Sequence, residues 1–248
     1  LSSQKTKRNT IQLSIAVLFM ALVCVATMSF TVYVPSTKGF FNIGETMVYI
    51  TALLFGPLVG AFAGGVGSAL ADVLLGYYYY APATLVIKAL EGGIVGFLGR
   101  KKPPFSLQAK REWRIFTIGI GVFVGALISL IGFLYYSGIV EFYSGFPPPE
   151  NPTSTFFIPM EFWLGLGIFV AILTAVIAVI SEPDYGWMII STIFGGLVMV
   201  LGYFLYEQFI LGVLAVAEVP VNIGQMTVGL IIATPTVKII QRTLPQLS

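Results

Sequence analysis

Residues 41–100 read FNIGETMVYITALLFGPLVGAFAGGVGSALADVLLGYYYYAPATLVIKALEGGIVGFLGR. Almost every position is apolar or small enough to lie in a bilayer, yet Glu45, Asp72, Lys88 and Glu91 are embedded in it. A charge at the centre of a membrane helix costs about 2.5–3.5 kcal/mol on insertion scales. Such residues persist where they face a protein interior, a cavity or a ligand, so this stretch predicts membrane helices built around a polar site.

The rest of the chain has the same character. Of its 248 residues 57% are hydrophobic and 10% charged, against roughly 25% charged in soluble domains. Too few polar groups exist to cover a soluble fold, so the chain reads as an all-α integral membrane protein forming one transmembrane domain over residues 1–248. A net charge of +2 argues against nucleic acid, which needs a basic face. A single cysteine, Cys24, excludes a disulfide framework and a Cys-x-x-Cys metal site. Histidine is absent, which removes the commonest metal ligand and general base; no metal site is expected.

Apolar runs bounded by turn residues predict about eight spans: Ile11–Val34, Ile43–Phe55, Leu58–Leu75, Pro82–Leu98, Ile115–Tyr136, Met160–Ile180, Trp187–Leu211 and Val221–Ile240. The second is short, and Gly56-Pro57 marks a tight turn after it. Of the 13 Lys and Arg, all but Lys38 and Lys88 fall on one side once crossings are counted. That side is expected to be cytoplasmic and to hold both termini. Arg100–Arg114 is the main internal boundary, and Glu141–Pro159, with its FPPPENPTS run, should be an irregular outer loop. The hairpin between them, residues 115–180, reads as an insertion of lipid-facing helices.

With orientation fixed, the polar residues fall in the outer half. Lys88 and Glu91 share a helix face with Thr84 one turn above, and Tyr203 shares a face with Glu207. Asn222 and Gln225 share a face at the start of the last span, where Asn222-Ile223-Gly224 echoes Asn42-Ile43-Gly44. The inner halves carry almost nothing ionisable, which describes a pocket open outside and sealed below. Blander readings stand beside this one. Lys88 can neutralise Asp72 or Glu91, and Glu45 and Asp72 lie near enough to the interface to be solvated. Asn222 can cap its helix, and Tyr77–Tyr80 can form an interfacial aromatic belt.

Two stripes of small residues, Gly60/Gly64/Ser68 and Ala61/Gly65/Ala69, let helix backbones approach closely; one can pack internally while the other meets a partner. No phosphate-binding loop, nucleophile elbow or His-Glu-x-x-His motif is present. Energy for transport would therefore come from an ion gradient or another subunit.

The ordered motifs N-I-G-E-T at 42–46, L-F-G-P-L-V-G-A at 54–61, G-S-A-L-A-D at 67–72, G-Y-Y-Y-Y-A-P at 76–82, T-L-V-I-K at 84–88, E-G-G-I-V-G at 91–96, G-Y-F-L-Y-E at 202–207 and P-V-N-I-G-Q at 220–225 resemble one family. This is the substrate-binding S components of energy-coupling factor (ECF) vitamin transporters, in the riboflavin-transporter-like branch. The resemblance implies an S-component-like six-helix core, here carrying the inserted hairpin. It implies a subunit of the prokaryotic plasma membrane that is not an enzyme and holds no permanent cofactor. Such a subunit captures a vitamin from outside and docks on a T subunit carried by two cytoplasmic ATPases, which use the ATP. Carried over by position, Asn42, Thr84, Lys88, Glu91, Tyr203, Glu207, Asn222 and Gln225 inherit substrate-binding roles. The Pro35–Phe41 loop becomes a lid, and the small-residue stripes a surface for the T subunit. The family pattern of alanines four apart in the first helix is absent; Ala16, Ala21 and Ala26 are five apart.

Two other functions share the pocket. A stand-alone gradient-driven carrier of a small organic solute would transport without partners. A membrane enzyme would use Glu91 and Glu207 as an acid–base pair. The acidic excess suits a neutral or cationic nitrogen heterocycle better than a polyanion, and riboflavin, a thiamin pyrimidine and a pyridoxine-like ring all fit.

Overall fold

The computed structural model describes residues 2–34, 39–101, 110–135, 137–142, 151–152, 154–180 and 183–244. Lys38, Lys102 and the Pro147–Pro149 run lie outside the described residues.

The helices are α1 (Ser2–Ser29), α2 (Gly44–Phe55), α3 (Pro57–Leu74), α4 (Ala81–Gly99), α5 (Lys110–Tyr135), α6 (Met160–Ile180), α7 (Pro183–Leu211) and α8 (Glu218–Thr243). A 3-10 turn at Gly212–Ala217 joins the last two. Among the described residues, six helices are long and apolar enough to cross a membrane: Thr10–Ser29, Pro57–Leu74, Ala81–Gly99, Arg111–Leu134, Tyr185–Ile210 and Ala215–Thr243. Gly44–Phe55 and Met160–Val176 are shorter apolar stretches, so six of the eight expected spans qualify by length and composition among the described residues. The reason is plainest at α2. Gly56 adopts φ 83°, a conformation that costs glycine nothing, and Pro57 opens the next helix. The 12 residues of α2 then rise about 18 Å, well short of the roughly 30 Å of hydrocarbon.

The first predicted span is also corrected. α1 stops at Ser29, and Thr31–Val34 (β1) pairs antiparallel with Gly39–Asn42 (β2), placing Val32 opposite Phe41. Thr31-Val32-Tyr33-Val34 is wholly β-branched and aromatic, a composition that favours a pleated ribbon over a helix.

Two compact units divide the chain. Residues 1–101 and 188–248 form one, and residues 102–187 the other. Within the first, α3 packs on α4 and α1, while α2 lies against α3, α4 and α8. Glycines set these distances. A Cβ on Gly60 would lie 2.7 Å from Gly92 O, and one on Gly65 would lie 2.7 Å from Leu85 O. Near one end of this unit Tyr80, Ile87, Met199, Val200, Tyr203 and Met226 form a buried cluster.

The small-residue stripes are largely consumed by this packing. Gly60, Gly64, Gly65 and Ser68 are buried inside the chain, with Gly60 and Gly64 facing α2 and α4 and Gly65 facing α4. Their assignment to a partner surface is therefore corrected; only Ala61 and Ala69 keep partial exposure.

In the second unit α5 and α6 pack along their length, and Ser129 Oγ donates to Trp163 O at 3.2 Å. Their ends are joined by the antiparallel strands β3 (Gly138–Phe142) and β4 (Ser154–Ile158), with Ile139 opposite Phe157.

Candidate functional site

The cavity that concerns function lies at the hairpin end of the first unit, away from Arg100. It is lined by Gly39, Phe40 and Asn42 of the β1–β2 ribbon, Asp72 of α3, Tyr80, Thr84 and Lys88 at the head of α4, Tyr203 and Glu207 of α7, and Glu218, Asn222 and Gln225 of α8. Its volume is about 40 Å³.

Below it stands an ionic group. Lys88 Nζ pairs with Glu45 Oε1 on α2 and lies 3.1 Å from Glu91 Oε2 on its own helix. Tyr49 Oη donates to Glu91 Oε1 at 2.9 Å. Glu45, Lys88 and Glu91 are no more than 5% exposed, and the helices close on them at glycines. A Cβ on Gly229 would lie 2.6 Å from Glu45 Cβ, and one on Gly196 would lie 2.6 Å from Tyr49 Oη. Desolvating a charge costs several kcal/mol, which only close pairing and hydrogen bonding offset. Lys88 is thus held from both sides, and its ammonium also lies 5.7 Å from the Tyr203 ring.

Around the cavity the polar groups form short chains. Tyr203 Oη donates to Thr84 Oγ1 at 3.0 Å, and Thr84 hydrogen-bonds Asp72 in turn. Tyr80 Oη donates to Glu207 Oε1 at 3.3 Å. Asn42 N and Nδ2 both donate to Gln225 Oε1 at 2.7 Å, and Gln225 Nε2 donates to Asn222 Oδ1 at 3.1 Å. Asn42 Oδ1 accepts from Gly44 N at 2.9 Å, fixing the entry to α2. Phe40 of the ribbon packs on Tyr77, ring centroids 4.6 Å apart, and Tyr206 Oη donates to Tyr79 O.

The tyrosines in the α3–α4 loop are held as neutral donors. Burial, helped by Tyr33, Tyr79, Asp72 and Glu218, pushes the Tyr77 phenol up to about 12. Burial followed by the charges of Glu207 and Glu218 raises Tyr80 further. Two carboxylate oxygens on the cavity wall, Asp72 Oδ2 and Glu207 Oε2, are buried without a hydrogen-bond partner in the protein.

The structure brings Asn42, Thr84, Lys88, Tyr203, Glu207, Asn222 and Gln225 onto one cavity. Glu91 does not line it; it turns behind Lys88 to Tyr49. Lys88 pairs with Glu45 rather than Asp72, and Glu45 and Asp72 are buried rather than solvated. Asn222 lies inside α8, which starts at Glu218, so it is not a helix cap. Tyr80 is 6% exposed and belongs to the site rather than to an aromatic belt. Glu218 was missed, although a glutamate ahead of Pro220 at the head of an apolar span was the available signal. Among the described residues, no group of three or more His, Cys, Asp or Glu is placed to hold a metal ion.

Comparison with known proteins identifies the family. A Pyrococcus woesei protein described as an uncharacterized protein in the gap 3′ region is 42% identical over 130 residues, 49% of this chain and 80% of that protein. The sequence model of the family described as ECF-type riboflavin transporter, S component, matches residues 7–179. That match covers α1 to α4 with the ribbon, Asp72, Thr84 and Lys88, and it extends through α5 and most of α6. A multi-pass membrane protein with six candidate membrane-crossing helices among its described residues, matched over most of its length, this chain belongs to the ECF-type riboflavin transporter S component family, a family of transport proteins and not of enzymes.

Proposed function

We propose that the chain captures a vitamin-class heterocycle, riboflavin being the first to test, from outside a prokaryotic cell. It then delivers the ligand inward docked on an ECF T subunit, with two cytoplasmic ATPase subunits supplying the energy. The chain itself binds no cofactor in this reading.

The observation that carries the proposal is the cavity beneath the ribbon, where Asp72 Oδ2 and Glu207 Oε2 are buried without protein partners. Buried polar atoms without partners cost about 1–3 kcal/mol each, a cost that a ligand's N–H or O–H groups would remove. Ligand pockets usually measure about 300–1,000 Å³, far above 40 Å³. The ribbon that supplies Gly39, Phe40 and Asn42 is the non-helical part of the cavity wall, which supports a lid role. The clustering of Lys and Arg on the Arg100 side supports a cytoplasmic location for that end. With the glycine stripes packed inside, docking on the T subunit falls to exposed apolar faces such as Leu13, Leu18 and Val25 of α1 and Leu58 of α3.

Mass spectrometry of ligand retained by the purified chain is the direct test, with co-purification of T and ATPase subunits as its companion. A retained vitamin and ATP-dependent uptake only with the partners are expected. Uptake by the chain alone in proteoliposomes, abolished by an ionophore, would replace the proposal with a gradient-driven carrier.

A further inference from the structure

Among the described residues lining the cavity, the one cation is Lys88, engaged from beneath by Glu45 and Glu91. Glu218 has interactions of its own in the protein. Asp72 and Glu207 stand differently. They are 4% and 2% exposed, and each keeps one carboxyl oxygen, Oδ2 and Oε2, without a hydrogen-bond partner.

The groups that face these two acids are hydroxyls and another acid. Tyr80 Oη, at the head of α4, donates to Glu207 Oε1 at 3.3 Å, and Glu218 of α8 sets an acid beside Glu207 rather than a counter-charge. Thr84 Oγ1 accepts from Tyr203 at 3.0 Å, which leaves its own O–H to donate to Asp72. The other groups around Asp72, those of Tyr77, Tyr79 and Tyr203, are phenols. A buried carboxylate without a cation is costly enough that the group takes up a proton instead. A protonated carboxyl then offers one O–H donor and keeps acceptor capacity.

Resting on vitamin capture at this site, we propose that Asp72 and Glu207 meet the ligand as neutral carboxylic acids. Asp72 Oδ2 and Glu207 Oε2 carry the protons and donate in hydrogen bonds to oxygen or nitrogen acceptors of an uncharged ligand. Each acid still accepts, so the matching ligand edge holds a donor beside an acceptor. The C=O and N–H of a cyclic imide and the hydroxyls of a polyol chain both have that form, and riboflavin carries both. Ionised, the two groups would repel ring carbonyls; protonated, they let a cavity rich in acids take an uncharged ring.

Riboflavin titration of the purified full chain in nanodiscs, followed by flavin fluorescence, tests this with two substitutions at each position. An amide copies the donor and acceptor of a neutral acid, whereas alanine removes both. Asp72→Ala and Glu207→Ala should each weaken riboflavin by roughly tenfold or more, and Asp72→Asn and Glu207→Gln by no more than about threefold. Infrared difference spectra of the wild-type chain with and without riboflavin should show protonated-carboxyl C=O bands that move on binding. One band should be missing in Asp72→Asn and another in Glu207→Gln. The spectra need no alanine variant, so misfolding of one leaves the test intact. Amide variants as weak as the alanine ones, or spectra in which neither residue has an acid band, overturn this inference and leave vitamin capture standing. Alanine variants that bind like wild type overturn it as well. A wild-type chain that binds no riboflavin overturns riboflavin capture and this inference together.

Discussion

Asn42 and Gln225 meet across 183 positions of sequence: the backbone and side-chain amides of Asn42 both donate to Gln225 Oε1 at 2.7 Å. This contact ties the second strand of the ribbon to α8. It also joins the two ends of the chain that enclose the cavity.

Removing the acceptor should therefore loosen the ribbon. Each bond contributes about 0.5–1.5 kcal/mol, so Gln225→Ala should favour the open ribbon by roughly tenfold. Hydrogen exchange at the Asn42 amide should accelerate by about that factor, and ligand should dissociate faster. Unchanged Asn42 exchange would rule out a latch.

The ionic group predicts an ordering of stabilities. Lys88→Met leaves Glu45 and Glu91 buried without their cation, and removing one partner of a buried pair typically costs about 3–5 kcal/mol. Glu45→Gln removes a charge yet leaves Lys88 paired with Glu91, so it should cost less. Thermal unfolding in one detergent should rank wild type above Glu45→Gln, and Glu45→Gln above Lys88→Met; the reverse order for the two variants would contradict the pairing.

Helix contact at α3 and α4 can be probed with single methyl groups. Gly60→Ala would press a Cβ to 2.7 Å from Gly92 O, whereas a Cβ on Gly93 meets Ala61 Cβ at an ordinary 3.6 Å. Gly60→Ala should cost about 1–3 kcal/mol and Gly93→Ala much less, read as melting temperatures. Equal effects would argue that the backbones are not in contact.

Orientation is open to labelling. Tyr78, 68% exposed, lies beside the cavity in the α3–α4 loop, and Lys101 is exposed past the far end of α4. In a Cys24→Ser background, a membrane-impermeant maleimide should label Tyr78→Cys in intact cells and Lys101→Cys only in inverted vesicles. The opposite pattern would place the cavity on the cytoplasmic side.

Much of the site was legible because helical spacing is regular. Thr84 and Lys88, Tyr203 and Glu207, and Asn222 and Gln225 each recur at three or four residues, which sets them on one face. What sequence could not supply was relative depth between helices. Glu45 appeared interfacial when counted along its own helix, yet it is 1% exposed and faces Lys88. The same limit turned Glu91 away from the cavity and hid the role of Asp72. The small-residue stripes announced close packing without naming the neighbours, which are α4 and α2 of the same chain. Thr31–Val34 is as apolar as the span before it, so its sequence continues that span rather than announcing a ribbon. Apolarity alone does not separate a short strand from a helix end.

The brevity of α2 has one more consequence. Arg100 Nη2 at the end of α4 donates to Phe55 O at the end of α2 at 2.7 Å, tying the ends of the two helices together. With 12 residues against 19, α2 is about 10 Å shorter than α4 and begins below the start of α4. The pairing of Glu45 in the first turn of α2 with Lys88, two turns into α4, registers that stagger. The cavity's floor at Lys88 is therefore sunk about 10 Å below the start of α4, beside the level where the shorter α2 begins.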